Sequence, residues 1–77
     1  MRIIGQIPHA SMTISIFQMN DKFQVKFEAG PMEQVFKFSL EEVKNVDNLK
    51  TIITPEFIEN ARLRFNDMFK QMKGLAL

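Results

Sequence analysis

Hydrophobic and polar residues alternate through the first half of the chain, then recur every three or four residues through the last third. Phe23, Val25 and Phe27 alternate with Lys22, Gln24, Lys26 and Glu28, the period-two signature of a strand with one buried face. The segment before it sets Met12, Ile14 and Ile16 on one side and Thr13 and Ser15 on the other. Between the two, Asn20-Asp21 suits a two-residue hairpin turn, because Asn and Asp tolerate positive φ. That turn sets Gln18 against Phe23, Ile16 against Val25 and Ile14 against Phe27.

Gly30-Pro31 marks a second reversal. A turn centred on Pro31-Met32 sets Phe36 against Phe27, Phe38 against Val25 and Leu40 against Phe23, with every apolar residue on one face. At the start of the chain, a loop over Pro8-His9-Ala10-Ser11 sets Ile7 against Met12, Gly5 against Ile14 and Ile3 against Ile16. The expected sheet is a four-stranded antiparallel meander. Its inward face holds Ile3, Gly5, Ile7, Met12, Ile14, Ile16, Phe23, Val25, Phe27, Phe36, Phe38 and Leu40.

The period changes after Leu40. Ser39-Leu40-Glu41-Glu42 fits a capping box, and Asp47 is placed to cap a second short turn carrying Leu49, Ile52 and Ile53, so the connection over 40–53 is short-helical or irregular. Thr54-Pro55-Glu56 is a stronger start signal, with a capping hydroxyl, proline at the first helical position and an acid at the positive dipole end. Lys70, Lys73 and Gly74 mark the other end. Within that helix Phe57, Ile58, Ala61, Phe65, Met68, Phe69 and Met72 fall in an arc of roughly 120° at 100° per residue. A stripe that wide calls for burial, and the oily face of the meander matches it. The expected architecture is α+β, one domain over residues 1–77, with a C-terminal amphipathic helix covering one face of the sheet. The 3-4-3-4 spacing of Ile58, Ala61, Phe65, Met68 and Met72 also permits a coiled-coil seam, but so short a seam of Phe and Met fits poorly.

Composition narrows the function classes. A chain of 77 residues without cysteine has neither disulfides nor a cysteine metal site to stabilise it, which leaves oligomerisation as the remaining support for a small core. The net charge of +1 lacks the basic excess of a dedicated nucleic-acid binder. All eight aromatics are Phe, the type spent on cores rather than on polar-tipped contacts. The opening residues lack an apolar signal run, and no stretch approaches the ~18 apolar residues of a membrane span. The expectation is therefore a soluble, cytoplasmic protein. The opening Arg2-Ile3-Ile4-Gly5-Gln6-Ile7-Pro8-His9 resembles small bacterial proteins to which no activity is attached, so it implies no function.

Candidate chemistry is sparse. His9 is the single histidine, with Ser11 two positions away, but a catalytic triad also needs an orienting carboxylate and an oxyanion site. Glu41 and Glu42 are adjacent and diverge on any regular element. Glu59 with Arg62, and Asp67 with Lys70 or Gln71, read as exposed helix pairs. Gly5, Gly30 and Gly74 are too far apart for a phosphate loop. The chain is expected to be no enzyme, with no catalytic, cofactor or metal residues.

The outward sheet face carries more information. With Ile4 placed outward, Ile4, Phe17 and Met19 cluster where no helix remains to cover them, which predicts a non-catalytic protein-interaction module, a homodimer or a contact with another protein. The covering loop 41–53 or the Leu75-Ala76-Leu77 tail is the alternative to a partner. A second function class is a weak single-stranded nucleic-acid binder, with Lys22, Lys26 and Lys37 ranged around Phe17.

Overall fold

Two tight turns organise the sheet. The computed structural model describes residues 2–75, with strands β1 (Arg2–Ile7), β2 (Thr13–Met19), β3 (Lys22–Ala29) and β4 (Met32–Ser39), followed by helices α1 (Leu40–Val43), α2 (Val46–Ile52) and α3 (Pro55–Lys73). The strands form one antiparallel sheet in the order β1-β2-β3-β4, the expected meander of an α+β fold. Asn20 at φ 51° and Gly30 at φ 59° occupy the first central positions of the two turns, where a tight hairpin requires a left-handed backbone.

The β2–β3 register is the expected one, with Gln18 on Phe23, Ile16 on Val25 and Ile14 on Phe27. The other two registers differ. In β3–β4 the loop is Gly30-Pro31 itself, so Ala29 faces Met32, Phe27 faces Gln34, Val25 faces Phe36 and Phe23 faces Phe38. The pairing is displaced by two residues from a turn centred on Pro31-Met32. In β1–β2, Ile7 faces Ile14 and Gly5 faces Ile16, and a bulge at Ile4 then sets Ile3 against Phe17 and Arg2 against Gln18. An extra residue in one strand inverts the faces beyond it. Ile4 therefore packs against the core while Ile3 is 51 % exposed, the reverse of the expected arrangement.

Capping explains the helix boundaries. Thr54 accepts a hydrogen bond from the Phe57 N–H at 3.2 Å and Pro55 takes the first helical position. Gly74 ends α3 with φ −76°, so it does not use the left-handed conformation. Ser39 caps α1 by accepting from the Glu41 N–H at 3.1 Å, one residue earlier than a capping box. Asn45, not Asp47, caps α2, its side-chain oxygen accepting from the Asn48 N–H at 2.8 Å.

Each of the three helices buries at least one apolar residue in the core formed on the inner face of the sheet. Val43, Leu49 and Ile53 join Met12, Ile14, Ile16, Phe23, Val25, Phe27, Ala61 and Phe65 in one buried cluster. The 41–53 segment thus shares the inner face with α3, rather than wrapping to the outer one. Phe57 ties the first turn of α3 to the sheet, packed 6.0 Å from the Phe27 ring and 5.0 Å from Phe36, which meets Phe27 edge-on at 5.8 Å. Further along, Gln34 donates to the Ala61 carbonyl at 3.0 Å and accepts from Arg64 at 3.1 Å. Burial then fades, and Phe69 is 51 % exposed. The long axis of the molecule is 44 Å, whereas an eight-residue strand spans about 26 Å, so the last turns of α3 run past the sheet.

Phe27→Ala is expected to cost about 3–5 kcal/mol, a large share of the stability of a domain this small. Phe69→Ala should stay within about 0.5 kcal/mol of wild type. Urea denaturation of both variants checks the contrast, and equal losses would contradict the placement of α3.

Candidate interaction surface

The outer face of the sheet is set by the registers. Reading across the strands, one row is Gln6-Ser15-Lys26-Val35 and the next is Ile3-Phe17-Gln24-Lys37. Met19, Lys22 and Ser39 lie towards the 20–21 turn, and Thr13, Glu28 and Glu33 towards the 30–31 turn. No described helix covers this face. Leu75 is exposed, and Ala76 and Leu77, which complete the tail considered as a cover, lie outside the described residues.

Of the three residues expected at the contact, Phe17 and Met19 are on this face and half-buried. Ile4 is not, because the bulge turns it to the core. Ile3 takes its place directly beside Phe17, and Val35, 41 % exposed, adds an apolar residue on β4. The signal for the exchange was present in Ile3-Ile4-Gly5: two adjacent apolar residues before a strand glycine mark a bulge. Ser15 lies on the open side yet is only 4 % exposed, a short side chain between the longer Gln6 and Lys26 of its row.

Lys22, Lys26 and Lys37 do share the face with Phe17. Lys26, however, pairs with Glu33 at 3.3 Å, and Glu28 stands directly opposite Glu33. The face is therefore dipolar, with lysines towards one turn and glutamates towards the other. It is not the continuous basic strip along which a phosphate backbone tracks.

Chemistry elsewhere is confined to the loop after β1. His9 Nδ1 accepts from the Ser11 N–H at 3.1 Å and lies 3.3 Å from Ser11 Oγ. The two side chains do meet, but Nδ1 is engaged by the backbone of the turn. Among the described residues no carboxylate hydrogen-bonds the other ring nitrogen to orient it. Depressions of about 250 Å³ and 320 Å³ flank this loop, at or below the lower end of ligand-site volumes. No group of three His, Asp or Glu among the described residues is arranged to hold a metal, and no helix of the described residues is long and apolar enough to cross a membrane.

On α3 the expected Glu59–Arg62 pair forms, with Arg62 Nε donating to both carboxylate oxygens at 3.0 Å. Among the described residues Asp67 makes no ion pair. No known protein family, curated protein or solved structure matches this chain.

The Arg62 hydrogen bond holds the Glu59 carboxyl below its usual range, opposed by a slight loss of hydration and aided by the charges of Arg62 and His9. The same bond raises the Arg62 pKa. A depressed carboxylate pKa stabilises the fold above the ordinary carboxylate range, and that contribution fades as pH falls through the lowered value. Carboxyl NMR titration should find Glu59 below the usual carboxylate range, and Arg62→Ala should raise it. An unchanged Glu59 would show that the pair is absent in solution. Both groups are solvated, so the effect on stability is small.

Proposed function

We propose that the protein is a non-catalytic interaction module that self-associates through the uncovered outer face of its sheet. The observation that carries this reading is the apolar cluster of Ile3, Phe17 and Met19 on a face that no described element covers. An exposed apolar cluster rimmed by charge is characteristic of a contact surface. The dipolar charge pattern favours a second copy as the occupant. A two-fold axis running across the strands in the plane between two sheets reverses strand direction. It brings the Lys22 and Lys37 end of one copy over the Glu28 and Glu33 end of the other, the complementarity that steers and registers an interface.

Area sets the expected strength. Four strands about 4.8 Å apart and about seven residues long present roughly 450 Å² in projection, whereas a standard interface buries about 800 Å² per partner. The face alone supports weak, concentration-dependent association.

Sedimentation velocity across roughly 10 μM to 1 mM, the range of an interface below standard size, should show a mass that rises with concentration. Phe17→Asp and Met19→Asp should each weaken association by about tenfold or more while leaving the circular dichroism spectrum unchanged. Wild-type protein that stays monomeric at 1 mM (an upper concentration chosen from the same roughly micromolar-to-millimolar scale) would overturn the reading.

A further inference from the structure

The two edges of the sheet are treated differently. The β1 edge is interrupted by the bulge at Ile4, and α2 packs beside it, the Lys50 stem approaching Gly5. Bulges and covering elements are the usual protection of an edge. β4 also meets helices, α1 and α3, the latter where Gln34 on the inner face reaches Ala61, but it runs eight residues in unbroken register from Met32 to Ser39, with Pro31 outside the strand.

The orientation of its backbone follows from the turn. Ala29 and Met32 close a two-residue loop, so they exchange hydrogen bonds, and the alternation makes Gln34, Phe36 and Phe38 the other residues bonded to β3. Leu40 N donating to the Asp21 carbonyl at 3.0 Å continues the same parity. The N–H and C=O groups of Glu33, Val35 and Lys37 therefore point away from the sheet. Among the described residues no other backbone or side chain bonds them.

We propose that this edge pairs antiparallel with β4 of a second copy, about a two-fold axis at Val35, to give a continuous eight-stranded sheet. One register is marked out by the sequence Glu33-Gln34-Val35-Phe36-Lys37, in which opposite charges stand symmetrically about Val35. Centred there, Val35 faces Val35 of the second copy, and Glu33 and Lys37 face Lys37 and Glu33 of that copy. The three residues of each strand exchange about six backbone hydrogen bonds. On the outer face, the two opposite-charge pairs flank a valine pair, the cross-strand combinations that stabilise a ladder. Displacing the centre by one residue to Phe36 sets Val35 against Lys37 and loses both charge pairs. The proposal rests on the reading of the chain as self-associating, but joins the copies through the backbone of the β4 edge, with Glu33 and Lys37 shared between this contact and the outer face.

The test is the mass, by sedimentation equilibrium, of wild type, of Phe17→Asp, which disables the outer face, and of four edge variants made in that Phe17→Asp background. Val35→Pro removes an N–H that no strand of the same chain uses, and proline is accepted at such an edge position, so the monomer should fold while edge pairing is lost. Lys37→Glu and Glu33→Lys each set like charges opposite one another and should weaken the dimer roughly tenfold. The Glu33→Lys/Lys37→Glu double variant restores opposite pairs and should recover the association of its Phe17→Asp parent to within about threefold. Recovery in that background is the decisive result, because neither loss of the internal Lys26–Glu33 pair nor an outer face disabled at Phe17 can produce it. Association that survives Val35→Pro, or that the double variant fails to recover, overturns the edge pairing. If Phe17→Asp by itself abolishes association, the outer-face reading stands alone. A monomeric wild type overturns both.

Discussion

The contact of Phe27 with Phe36 and Phe57 is where sheet and helix become one structure. Phe27 is fully buried, and its two aromatic neighbours come from β4 and from the first turn of α3. Edge-to-face and tilted rings interlock with directional preference, which fixes more than an equal area of aliphatic contact would. The position of Phe57 is in turn set by the Thr54 cap and Pro55, which start the helix at one residue and no other. Everything further along α3 inherits its path from that point, including the approach of Ala61 to Gln34.

Gln34 shows what the β3–β4 register entails. It sits on the inner face opposite Phe27, where a polar side chain without partners would be costly. Its amide nitrogen reaches the Ala61 carbonyl and its oxygen receives Arg64. A polar residue in an apolar layer thereby becomes a locator that matches one turn of helix to one residue of strand. The core is correspondingly shared: α1 and α2 complete the part of the inner face that α3 leaves open.

The strands, the faces of β2, β3 and β4, the class of fold and the ends of α3 were legible in the residues. Two registers were not, and the reason is physical. Hydrophobic alternation distinguishes pairings that differ by one residue, because the side-chain faces invert, but a displacement by two leaves every face unchanged. Only turn chemistry separates those alternatives. For β3–β4 the deciding residue is Gly30 with its positive φ, which belongs inside the loop rather than before it. The bulge at Ile4 defeats alternation altogether, since a single extra residue exchanges Ile3 for Ile4 on the open face. Phe17 and Met19 could be placed from the pattern because β2 has no such interruption.

The order of elements along the chain has a consequence for synthesis. Each strand pairs with its neighbour in sequence, so hairpins can close in succession as residues leave the ribosome, with little loop entropy to overcome. Yet Phe57, Ala61 and Phe65, which seal Phe27 and its neighbours, belong to the last element. A nascent chain that has reached Ile53 lacks the residues that seal Phe27, so a meander closed by then has part of its apolar side open to water and to other nascent chains. Release of α3 is the step that completes the cover. The interval before it is the stage at which exposed apolar surface most favours misassembly.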